Sequence, residues 1–131
     1  MQKRAINPTE WLRHFQLSHA IEVTGGERVL YLSGQTSTDA DGTTLHKGDI
    51  VAQFAKAWDN LKDALAAADM APSNIVRLNL YTTDVATFME KAEEIVPIWA
   101  AEGIQPAATL LGITGLFDPD LMVEIEATAV A

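Results

Sequence analysis

The sequence predicts an α+β fold in which two helices cover one face of a mostly antiparallel sheet. Three observations carry this. Apolar residues alternate with period two along Leu121–Val130 and again along Ile75–Thr83. Between Ile50 and Asp69 they step by three and four instead, which is one face of a helix. Turn-forming residues separate the segments in the order strand, strand, helix, strand, helix, strand, strand, with one parallel crossover expected. A chain of 131 residues corresponds to one ordinary domain, 1–131. Such a length buries roughly two-thirds of the unfolded surface without staples.

Residues 1–17 place Trp11, Leu12, Phe15 and Leu17 among polar neighbours, which fits either a short helix or an arm over the core. Ser18–Val23 alternates weakly as a strand. Thr24-Gly25-Gly26-Glu27 is a hairpin signal, because paired glycines accept positive φ, and Arg28–Ser33 is the returning strand. Gly34–Gly48 is a loop, and loops of this length in compact domains are often functional. Asp49 caps the first helix, whose apolar stripe is Val51, Phe54, Trp58, Leu61, Leu65 and Ala68. The strand Ile75–Thr83 puts Val76, Leu78 and Leu80 on one face and Arg77, Asn79 and Tyr81 on the other. Asp84 caps a second helix that turns Val85, Phe88, Ala92, Ile95 and Trp99 inward. Pro97 should kink or shorten it, lacking an N–H and clashing with the preceding turn.

Two strands close the chain, Pro106–Ile113 and Leu121–Val130, joined by a loop carrying Gly115 and Asp118-Pro119-Asp120. In the last, Val123, Ile125, Ala127 and Ala129 point one way, and Glu124, Glu126 and Thr128 the other. Carboxylates roughly 7 Å apart on one face raise each other's pKa where water is excluded. On a solvated face they are ordinary, and alternation alone leaves both readings open. Two helices cover one sheet face only. Yet Thr109, Leu111 and Ile113 alternate with Ala108, Leu110 and Gly112, so the other face needs a cover as well. Another copy of the chain would supply it, or the N-terminal segment would.

Charge narrows the function classes. Net charge is −9, and the Lys and Arg residues are scattered without a basic stripe, which argues against a nucleic-acid partner. There is no cysteine, hence no thiol nucleophile or thiolate metal site. His14, His19 and His46 lack metal-ligand spacing, so no metal is expected. Gly25-Gly26 is a turn rather than a phosphate loop. No apolar leader or membrane-length run is present, and a cytoplasmic protein with no membrane partner is expected.

Several short stretches together resemble one family. Leu32-Ser33-Gly34-Gln35-Thr36, the helix after Gly48-Asp49, Leu80-Tyr81-Thr82-Thr83-Asp84 with Phe88, Pro106-Ala107, and Val123-Glu124-Ile125-Glu126-Ala127 occur in the order seen in the Rid family, also called YjgF/YER057c/UK114. The resemblance is collinear from about Ser18 to Val130. It implies a chorismate-mutase-like fold and a homotrimer with a small-molecule ligand in clefts between subunits. It also implies a cofactor-free, deaminase-like hydrolase of enamines or imines. Glu124 falls where relatives handle the attacking water, a general-base role. Ser33, Gly34 and Gln35, with the strand positions Ala108, Thr109 and Leu110, are the implied substrate-binding residues.

This chain departs from the deaminase pattern. Where deaminases place an Arg that clamps the substrate carboxylate, it has Ala108, and where they have a Cys it has Leu110. Lys91 or Ala92 replaces a helix Asn, and Leu17 or Ser18 an N-terminal Tyr. Losing a bidentate clamp costs on the order of a hundredfold or more for a carboxylated substrate. A standard 2-aminoacrylate deaminase is therefore not expected. Arg13, His14, His19 and Arg77 are the remaining cations to consider, Arg13 first. The alternative is a non-catalytic trimer that binds a small molecule or a partner protein.

Overall fold

The computed structural model describes residues 1–131. Six strands and three α-helices form: β1 (Gln2–Ile6), β2 (Ala20–Thr24), β3 (Val29–Gln35), α1 (Ile50–Ala67), β4 (Ile75–Thr82), α2 (Val85–Glu90), α3 (Ala92–Ala100), β5 (Ala107–Gly112) and β6 (Val123–Val130). Two of the strands, β1 and β2, make a small sheet of their own. The other four run in the order β3-β6-β4-β5, antiparallel except for the parallel pair β4–β5. That pair is the expected crossover.

The helices lie on one face of the larger sheet. Asp49 caps α1, its carboxylate accepting from the Ala52 N–H at 3.1 Å, an interaction that contributes about 1 kcal/mol. Phe54, Trp58, Leu61 and Leu65 of α1 are buried against Leu78, Leu80, Ile125 and Ala127 of the sheet. Phe54 sits between Phe88 (ring centroids 6.2 Å) and Trp99 (5.8 Å). Five buried residues are polar, and Gln53 is the largest of them. Gln53 donates to the His46 and Asp120 carbonyls and accepts from the Met122 N–H, so its amide ties two long loops to α1 without leaving a polar atom unpaired.

Three expectations are corrected. The turn at Thr24–Glu27 does not join a hairpin: β2 pairs with β1, supported by an Arg4–Glu22 cross-strand ion pair, while β3 pairs with β6. Both glycines do take positive φ, at 76° and 100°. Local turn chemistry holds, but it does not decide which strand is the partner. Residues 1–17 do include a short helix, the 3-10 helix Trp11–Phe15, but also a strand, β1, that was not expected. This helix docks on the helix side, where Trp99 Nε1 donates to the Phe15 and Gln16 carbonyls at 3.2 Å, so it leaves the other sheet face open. The second long helix divides at Lys91, well before Pro97, and α3 runs on through the proline to Ala100. Pro97 and Glu93, whose carbonyl would have received the missing N–H, both lie on the exposed side. Val85, expected inside, is 42% exposed. No helix is long and apolar enough to cross a membrane.

Candidate functional site

Alternation along β6 sorts the residues. Val123, Ile125 and Ala127 are buried under the helices, which leaves Glu124, Glu126 and Thr128 on the open face. The neighbouring strand β4 adds Arg77, Asn79 and Tyr81 there. Asn79 stands opposite Glu126 and Tyr81 opposite Glu124. Glu126 is well partnered: Asn79 Nδ2 donates to it at 3.1 Å and Tyr81 Oη at 2.5 Å. Arg77 donates to Thr109 Oγ1 at 2.6 Å, which places Thr109 on this face too. A shallow hollow of about 180 Å³ opens among Tyr31, Asn79, Glu126 and Thr128.

Glu124 is half-buried and, unlike Glu126, receives no protein donor. Burial pushes its carboxyl above the usual carboxylate range, and the charge of Glu126 adds to the shift. Tyr81 is pushed up as well, first because it donates to Glu126, then by burial and the two carboxylates, with Arg77 opposing. The backbone beside Glu124 is the bulge in β3 between Leu32 and Gln35. A Cβ at Gly34 would lie 2.7 Å from Glu124 Cδ, so a larger residue here would push the carboxylate aside. Gln35 closes the bulge by donating its amide to the Ser33 carbonyl at 3.2 Å.

Ala108 and Leu110 lie elsewhere. Their strand partners are Leu78 and Leu80, so they face the helices. They line a cavity of about 270 Å³ whose twelve lining residues are all hydrophobic. The 3-10 helix contributes Trp11 and Phe15 to its walls, and the α2–α3 pair contributes Phe88 and Trp99. None of the candidate cations lines it. Arg13 pairs with Glu10 at 3.6 Å, His19 bonds Asn7 and Thr9, and Arg77 is on the opposite face.

The residues singled out in the sequence therefore form two groups on opposite faces of one sheet. Ser33, Gly34, Thr109 and Glu124 belong with the open face, and Ala108 and Leu110 with the apolar cavity; Gln35, past the β3 bulge, pairs with the buried Ile125 and takes the helix-side parity. Within one chain they do not meet. Asn79, Tyr81 and Glu126 were not singled out as site residues. Their shared parity on β4 and β6 was readable, but the register that brings Asn79 and Tyr81 to Glu126 was not.

Comparison with known proteins agrees with this architecture. The family model described as endoribonuclease L-PSP matches residues 13–131. Protein DfrA of Myxococcus xanthus is 32% identical over 114 residues, covering 87% of this chain and 84% of its own. A RutC family protein of Aquifex aeolicus is 30% identical over 113 residues, 86% of each chain. The conserved Rid family protein YyfB from Yersinia pestis superposes over 100% of both chains, with TM-score 0.85 and 31% identity. The YjgF gene product from E. coli shares the fold at TM-score 0.69 over 86% of each chain, with 23% identity. The fold is the chorismate-mutase-like α+β fold common to these proteins. The chain belongs to the endoribonuclease L-PSP family, known also as YjgF/YER057c/UK114 or Rid.

Proposed function

We propose that this chain is a cytoplasmic, cofactor-free hydrolase of enamines or imines. It works as a homotrimer in which the open face of one copy meets the apolar cavity of the next. The observation that carries the reading is Glu124: a half-buried carboxylate without a protein donor, with its affinity for protons raised, set against a glycine that leaves it room. The family, generally linked to enamine and imine deamination, supplies the reaction class. An enamine takes a proton at carbon from solvent, to which Glu124 later returns one, and gives the iminium ion. Water then adds to the C=N carbon while Glu124 accepts its proton. The carbinolamine expels ammonia, leaving the ketone or aldehyde. A base with raised pKa takes a proton more readily than an ordinary carboxylate. Ser33 and Gly34 shape the Glu124 side of the cleft, and Gln35 closes the bulge they sit in.

The split placement of the candidate residues supports a site shared between copies. Glu124 and the cavity holding Ala108 face opposite ways in one chain, so a single ligand touches both only across an interface. The exposed Tyr31 (80%) and Leu111 (50%) on the open face give that interface apolar surface. RNA cleavage fits poorly, because net charge is −9 and the open face presents two carboxylates.

Glu124→Gln tests the reading. Ammonia release from freshly generated neutral imines should fall by roughly a hundredfold to ten-thousandfold, while light scattering still gives a trimer. Wild-type release no faster than the uncatalysed rate would favour the non-catalytic binding trimer. 2-Aminoacrylate should be turned over poorly, because its carboxylate meets no cation at Ala108.

A further inference from the structure

We propose that the cavity between the 3-10 helix Trp11–Phe15, the α2–α3 pair and β5 binds the uncharged apolar part of a small molecule, an aromatic ring or branched alkyl group, and rejects a carboxylate. The proposal deepens the enzymatic reading by naming the substrate class, and its link to turnover rests on that reading; the binding itself does not.

Every residue around the cavity is hydrophobic. The indole N–H of Trp99, a polar atom among them, is already engaged by the Phe15 and Gln16 carbonyls. An entering anion would lose its water and gain no donor. The surroundings do not compensate. Glu93 lines the adjoining hollow with His14, the Arg13 guanidinium is paired to Glu10, and net charge is −9. Size fits a small ligand. An apolar cavity of about 150 Å³ accepts benzene, so about 270 Å³ holds a ring with a substituent. Shape fits as well. Trp11 meets Phe15 edge-on at 5.7 Å and is 59% exposed, and Met89 beside it is 48% exposed. An aromatic and an adaptable thioether side chain thus stand at the rim, where a ligand would cover them. With its apolar group seated here, a molecule leaves its other end at the mouth.

The test uses toluene and 4-methylbenzoate, which differ by a carboxylate, and the indole N–H signals of the three tryptophans in NMR. Trp11 and Trp99 line the cavity; Trp58, buried on α1 with its N–H toward Glu102, is the internal control. Toluene should shift Trp11 and Trp99 saturably and leave Trp58 in place. 4-Methylbenzoate should bind at least roughly tenfold more weakly. Ala108→Leu, which narrows the cavity, should weaken the toluene binding, whereas Glu124→Gln should leave the shifts unchanged. Absence of a saturable shift, or equal affinity for the two probes, overturns the proposal, and both are read on the wild-type protein. The two readings separate cleanly. Glu124-dependent turnover without toluene binding retains the enzyme and removes this pocket; toluene binding without turnover does the reverse.

Discussion

The two faces of the four-stranded sheet are built from alternate residues of the same strands, yet they hold different kinds of free energy. On the helix side, Leu78, Leu80, Ile125 and Ala127 are almost wholly out of water. Between them on the other side stand Asn79, Tyr81, Glu124 and Glu126, half-buried and polar. Stability resides mainly in the first set and acid–base chemistry in the second, so substitutions on one face should leave the other's property largely intact. Strand β5 is the exception. Its helix-side residues Ala108 and Leu110 face a cavity rather than packed helix, because α3 and the 3-10 helix meet above them without filling the space.

The largest effect expected from this contrast is on the helix side. Phe54 is fully buried, between Phe88 and Trp99. Phe54→Ala should destabilise the protein by about 3–5 kcal/mol, read by urea unfolding. A loss below about 1 kcal/mol would mean that this layer does not carry the stability assigned to it.

A smaller effect, on the other property, is expected at Gly34. A Cβ there meets Glu124 Cδ at 2.7 Å and Oε2 at 2.8 Å. The contact is with the flexible end of a side chain, so Gly34→Ala should change stability by less than about 1 kcal/mol. Displacing the carboxylate should nonetheless lower turnover, by up to about a hundredfold. Kinetics and unfolding on the same variant check both halves. Unchanged turnover would show that Gly34 does not set the position of Glu124.

The sequence revealed the faces better than the pairings. Period two along β4 and β6 sorted Leu78 from Asn79 and Ile125 from Glu126 correctly, because a strand side chain's direction depends only on its own position. Asp49 and Asp84 were recognised as caps, since capping is a contact three residues away. Distant relations were less legible. The partner of β2 was misread because two glycines specify a turn and not the pairing of the strands on either side of it. The burial of Gln53 depends on the loop carbonyls of His46 and Asp120, which no local pattern announces. For the site, resemblance gathered Glu124 and Ala108 into one cleft. Strand parity keeps them apart within one chain, so that cleft requires two copies: β4 pairs Tyr81 with Glu124 but Leu78 with Ala108, and those two partners face opposite ways.

The subtlest expected effect lies within the open face, at Glu126. Its charge is the second cause of the raised pKa of Glu124; burial is the first and would remain after substitution. Glu126→Gln keeps an oxygen that can accept from Tyr81 and Asn79, so the geometry should hold while the charge goes. The pKa of Glu124 should then move down toward the ordinary carboxylate range without reaching it. The base works only when ionised. Wild-type turnover should therefore fall as pH drops through the raised pKa, and in Glu126→Gln this acid limb should sit at lower pH. Stability changes with a definite sign. Between its ordinary pKa and its raised folded one, Glu124 binds more protons in the folded state than in the unfolded. Stability from this group consequently declines as pH rises through that window. The variant should narrow the window, and Glu124→Gln should remove it. Rate profiles and urea titrations from about pH 4 to 8 read both. An acid limb that stays in place would uncouple the two carboxylates, and one that persists in Glu124→Gln would assign the proton transfer to a different group.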